Sequence, residues 1–172
     1  MNANPGRKYL LKWRKIMLNA NRFSGKKTPQ HVAGASKVQQ ARHVKPKILL
    51  VEDDPLIQHI HMRFLELMNC EVIIANNGQQ AIDFFAEKPA LVLLDIGLPG
   101  MSGIEVCRIL RHEEGEQRTP IIALTAFGDI IEFECRAAGV DDFAVKPITS
   151  SELYNLLNRW LPHYHDTLKP IN

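Results

Sequence analysis

A chain of 172 residues, 45% of them hydrophobic, can bury one full core and carry an appendage, but two full-sized domains are excluded. It has no run of 18 or more apolar residues and no secretory signal pattern, so a cytoplasmic protein is expected. The formal charge of +2 conceals twelve basic and no acidic residues over 1–47 against nine basic and nineteen acidic over 48–172, and this division of +12 from −10 marks a boundary.

Residues 1–45 read as a basic, flexible extension, whose middle (NRFSGKKTPQHVAGASKVQQARHVKPK) is polar, small and self-repelling. Near its start, YLLKWRKIML (9–18) sets Leu10, Trp13 and Met17 at helical spacing among Lys8, Lys12 and Lys15, the pattern of a short basic amphipathic helix. Such a helix is marginal alone in water. Met17 offers an alternative start, and no internal repeat occurs.

From 46 to 162 short apolar runs alternate with amphipathic segments. KILLV (47–51), EVIIA (71–75), LVLL (91–94), PIIAL (120–124) and DFAV (142–145) read as strands, and 55–68, 78–88, 102–114, 128–138 and 150–161 as helices. Strict alternation predicts an α/β, doubly wound, five-stranded parallel sheet of order 2-1-3-4-5, with residues 163–172 a C-terminal tail. Asp54 caps the first helix with Pro55 at its first position, Thr149 and Glu152 form a capping box before the fifth, and Gly139 closes the fourth.

Four polar clusters then fall at one sheet edge. The first strand ends in Glu52-Asp53-Asp54, the third in Asp95, the fourth in Thr125-Ala126 and the fifth in Lys146-Pro147. Gly97, Pro99, Gly100 and Gly103 after Asp95 make a loop and leave its carboxylate at the carboxyl edge, where open parallel sheets bind ligands. Converging carboxylates repel, so the site calls for a hard cation, and oxygen-only ligands favour Mg²⁺ with phosphoryl chemistry.

In this order and on these strands, Glu52-Asp53, Asp95 with its LPGMSG loop, Thr125-Ala126 and Lys146-Pro147 resemble the receiver domain of two-component response regulators, over about residues 46–162. The resemblance implies a flavodoxin-like fold and phosphoryl transfer to Asp95 from a sensor histidine kinase or histidine phosphotransfer protein. It implies Mg²⁺ held by Glu52, Asp53, Asp95 and the Gly97 carbonyl. Thr125, with Ala126, would bond the new phosphoryl oxygen, Phe143 would turn inward behind it, Lys146 would pair with the charge, and the bond before Pro147 would be cis. It further implies a switch read out on the strand 4, helix 4, strand 5, helix 5 surface, a downstream protein target, and a homodimer through the helix 4 and helix 5 face. Such a protein is no enzyme beyond its own phosphorylation and dephosphorylation. With the chain ending about ten residues after the fifth helix, no output domain is expected, and action is through protein contact or as a phosphorelay carrier.

Doubly wound phosphatases with an Asp nucleophile place it after the first strand in a D-x-D-x-T loop, which VEDDPL does not match, and flavin or dinucleotide binders want a Gly- or Ser/Thr-rich loop where EDDP stands. His59 and His61 lie two apart and cannot share a helix face, so the histidines read as solvated or packing residues; Cys70, Cys107 and Cys135 read as reduced packing residues. Leu153, Leu156, Leu157 and Trp160 form a core stripe, while Ile131, Cys135 and Ala138 form a buried face that leaves Ile130 and Phe133 on a flank. Gly97 and Phe127, each two residues beyond a site residue, offer no side-chain group to orient a water, so a long-lived phosphoryl group is expected. For the basic extension three uses compete with a solvated linker: binding nucleic acid, lying on an anionic membrane, or masking the acidic domain.

Overall fold

In the computed structural model of the chain, residues 44–126 and 132–171 are described. The expectations for the basic extension, Phe127, Ile130 and Ile131 lie outside them. Five strands, β1 (Lys47–Val51), β2 (Glu71–Ala75), β3 (Leu91–Asp95), β4 (Ile121–Thr125) and β5 (Asp142–Val145), form one parallel sheet of order β2-β1-β3-β4-β5. Between and after them run α1 (Pro55–Leu67), α2 (Gly78–Phe85), α3 (Gly103–Glu113), α4 (Glu132–Ala138) and α5 (Ser150–Trp160). The sheet order and the alternation agree with the sequence expectation.

Period-two alternation divides the central strands between two cores. Leu49, Val51, Val92, Leu94, Ile121 and Ala123 pack with Ala81 of α2, Val106, Cys107 and Leu110 of α3, and Cys135 and Ala138 of α4. The intervening Ile48, Leu50, Leu93, Ile122 and Leu124, all fully buried, point the other way. That second face takes the buried sides of α1 (Ile60, His61, Phe64, Leu65) and α5 (Leu153, Leu156, Leu157). Covered on both faces, the inner strands carry unbroken apolar runs.

The helix starts are chemically fixed. Asp54 accepts the Leu56 and Ile57 amides with Pro55 at the first position of α1, and Thr149 and Glu152 complete a capping box on α5. Gly139, at φ 101°, ends α4 in the left-handed region. Trp160 departs from the expected core stripe: its indole is partly exposed and its N–H donates to Asp142 Oδ2 at 2.8 Å, since a partly buried indole N–H needs an acceptor. After a 3₁₀ turn (Pro162–Tyr164) the chain packs back across the end of α1, where Leu168 is buried, Lys169 N–H donates to the Met68 carbonyl at 3.2 Å and Asn69 donates to the Thr167 carbonyl at 3.1 Å. Among the described residues no helix is long and apolar enough to cross a membrane.

Candidate functional site

Register brings the site together. Val51 pairs with Leu94, Asp95 with Leu124, and Thr125 with Val145, so Glu52, Asp95, Thr125 and Lys146 come nearly level at the carboxyl edge of four adjacent strands. Glu52, Asp95 and Thr125 are buried, while Asp53 beside them is exposed. Carboxylate oxygens of Glu52, Asp53 and Asp95 lie within 4.8 Å of one another.

Lys146 closes the cluster from the far side. Its ammonium donates to Asp95 Oδ2 at 2.6 Å and to Glu52 Oε2 at 2.5 Å. Asp95 Oδ1 accepts the Gly97 N–H at 2.8 Å, so the two oxygens of this carboxylate stand in different surroundings. Burial pushes the Glu52 carboxyl up to about 7, against the pull of Lys146 and with help from the Asp95 charge. Such a group is costly to ionise in the absence of a further cation. Three converging carboxylates with only oxygen donors suit a hard divalent ion of the Mg²⁺ type, and Lys146 offsets one of their charges without filling the acidic side.

Of the other residues singled out by sequence, Ala126 is exposed just past β4, Gly97 is exposed with room beside it, and Phe143 on β5 is partly buried against the core. Pro147 is buried and follows a cis bond. The site also uses contacts that sequence reasoning did not find. Gln58 of α1 donates to the Glu52 carbonyl and to Asn76 after β2, tying down the end of β1. Ser102 and Glu105 form a capping box on α3 that fixes the far end of the Asp95 loop. Gly103, the first residue of α3, passes so near β3 that a Cβ there would overlap the Asp95 carbonyl and come within 2.8 Å of Ile96 Cα. The S-x-x-E spacing was readable; the close approach was not.

The three buried thiols, Cys70, Cys107 and Cys135, are free, and burial raises all of them, Cys70 to about 12 and Cys107 to about 11. That suits inert packing.

The model of the response regulator receiver domain matches residues 48–158. The phosphate regulon transcriptional regulatory protein PhoB of Rhizobium meliloti is 42% identical over 110 residues, 63% of this chain and 48% of that one. The chain spans about half the length of the curated relatives it matches. The receiver domain of the sensor histidine kinase PA1611 from Pseudomonas aeruginosa, crystallised with magnesium coordinated in its active-site cleft, is 33% identical, with a TM-score of 0.65 over 69% of this chain and 99% of that one. The receiver domain of Ssk1 from Saccharomyces cerevisiae, solved with the histidine phosphotransfer protein Ypd1, is 28% identical with a TM-score of 0.62, over 67% of this chain and 88% of that one. With its family model covering well over half the sequence, on a sheet of the order and site geometry described, this chain belongs to the receiver domain family of two-component response regulators.

Proposed function

We propose that this domain accepts a phosphoryl group on Asp95 from a phosphohistidine of a sensor kinase or phosphotransfer protein, and passes the signal on through its β4, α4, β5 and α5 surface. The observation that carries the reading is the buried Asp95, its carboxylate set between the Lys146 ammonium and two further carboxylates. An Asp95 oxygen attacks phosphorus, the phosphorus–nitrogen bond to the donor imidazole breaks, and the imidazole takes up a proton as it leaves. Mg²⁺, held by Glu52, Asp53, Asp95 and the Gly97 carbonyl, would supply positive charge for the phosphoryl oxygens during transfer.

The chain's own residues do the rest. Lys146 exchanges its bond to the Asp95 carboxylate for one to a phosphoryl oxygen, keeping its charge where negative charge gathers. The Gly97 N–H holds Asp95 Oδ1 in place. Thr125, backed by the small Ala126, turns its hydroxyl to the phosphoryl oxygen, and Phe143 follows inward, which shifts β4, β5 and α4 as a local electrostatic switch. Its readout is contact with a downstream protein or another receiver, and a homodimer through α4 and α5 is one form this can take.

Time-resolved transfer from a panel of kinases and phosphotransfer proteins tests the reading. Asp95 is expected to be the sole acceptor: Asp95→Asn abolishes labelling, Asp53→Asn weakens metal binding, and a chelator stops transfer. Full labelling of Asp95→Asn, or transfer undiminished by the chelator, overturns it.

A further inference from the structure

Arg136 of α4 belongs to none of the site motifs. Its Nε and Nη2 both reach Oε1 of Glu132, one turn earlier, at 2.7 and 2.6 Å. So tethered, the guanidinium extends over β5, and its central carbon lies 5.0 Å from the centroid of the Phe143 ring. A cation at that distance over an aromatic face is attracted by the ring quadrupole. Phe143 also packs against the core shared by α2, α3 and α4, so the ring sits between core and charge. Lys146, three residues further on, meanwhile bonds Asp95 and Glu52 directly, so the stacked ring accompanies the unphosphorylated arrangement of the site.

We propose that Arg136 is a positioning residue that holds the Phe143 ring in its resting orientation, so that the Glu132–Arg136–Phe143 stack opposes the ring's inward turn and sets how readily the phosphorylated state is reached. This rests on the reading of Asp95 as phosphoacceptor and Phe143 as the moving ring. A contact made in only one of two states biases their equilibrium by its whole strength, and a ligand of the other state must overcome that bias. Half-exposed side chains, 56% for Arg136 and 41% for Glu132, give the ion pair little weight in overall stability. Removing Arg136 therefore changes the switch far more than the fold.

The probe is beryllofluoride with Mg²⁺, a phosphoryl mimic, titrated calorimetrically into the full chain. Loss of one exposed cation–π contact in Arg136→Ala is expected to tighten its binding about two- to five-fold, with an unchanged urea midpoint, while Arg136→Lys, which keeps a cation, falls between the variant and the parent. In a Phe143→Leu background Arg136→Ala is expected to do nothing, which closes a double-mutant cycle on the contact. Unchanged or weaker binding by Arg136→Ala, or equal tightening without the ring, overturns the proposal, because a merely structural arginine would give one of those results. If the parent fails to bind the probe, or Asp95→Asn binds it equally, the phosphoacceptor reading has failed and takes this inference with it.

Discussion

Gly103 sets how closely α3 can approach the end of β3, and with it where Asp95 stands. A methyl group there meets backbone atoms, which cannot swing aside as a side chain would. Gly103→Ala is expected to cost about 3 kcal/mol in urea unfolding, at the upper end of overpacking penalties. Gly115→Ala, with nothing within 4 Å of the added carbon, should stay within about 0.5 kcal/mol. Gly97 is the opposite case: its Cβ would make an ordinary 3.5 Å contact with Asp95 Oδ1, so a side chain fits. Gly97→Asn places an amide where a water can be oriented toward the acceptor, and the lifetime of the acyl phosphate, followed by loss of label, should fall roughly tenfold. An unchanged lifetime would remove the argument that the lack of a water-orienting side chain at this position protects it. His61 contributes a pH dependence of its own. Burial, helped by the Lys146 charge, holds its imidazole down at about 4 from an ordinary 6.5. The unfolded chain therefore binds the extra proton between those values, so the neutral ring's stabilisation is complete above 6.5 and is lost as the pH falls toward 4. The difference in unfolding free energy between the parent and His61→Leu should shrink over that window by up to ~3 kcal/mol. Taking the difference cancels the opposite slope of Glu52, whose raised carboxyl favours the fold on the acid side.

At the scale of elements, α3 is anchored by Arg111. Its guanidinium donates to the Gly139 and Thr119 carbonyls and pairs with Glu114 and Asp141, while Asp141 also accepts the Ile121 amide and Arg118. Removing one partner of a largely buried pair strands the other, so Arg111→Ala is expected to cost about 3–5 kcal/mol by chemical denaturation. Thr149→Ala, which breaks the cap of α5, should cost about 1 kcal/mol. These two cases also show what the sequence could carry. The capping box is written in four consecutive residues, as are the apolar runs of the strands and the acidic and Lys-Pro signals at their ends, so the sheet order and the membership of the strand-edge cluster were legible. Arg111 meets Gly139 and Asp141 across 28 and 30 residues, and nothing local marks that pairing. His61 was half legible: it lies on the stripe with Phe64, Leu65 and Met68, but a polar residue on an apolar stripe tells only that it is packed, not that its pKa is displaced. The expected start of the fourth helix at 128 lies outside the described residues; within α4, Phe133 is 84% exposed, as a flank position should be.

For the whole molecule, charge is the dominant contrast, +12 before residue 48 and −10 after it. Any electrostatic role of the first 47 residues should fade with salt, since exposed charges act over a Debye length of about 8 Å at physiological ionic strength. The full chain and one beginning at Lys45 should therefore differ at low salt, and converge at high salt, in binding to DNA, in binding to anionic liposomes or in phosphotransfer rate; no difference in any of the three leaves the linker reading. The Arg111 cluster has a mechanical meaning as well. It clamps β4 and the entry to β5 at their amino ends, while Thr125 and Lys146 occupy the opposite ends of the same strands. Two strands pinned at one end and loaded at the other behave as levers with a common fulcrum, so a displacement too small to matter at Ile121 grows along the strand. Amide exchange in β4 and β5 should accordingly quicken from fulcrum to tip, and weakening the pin with Arg111→Ala should flatten that gradient.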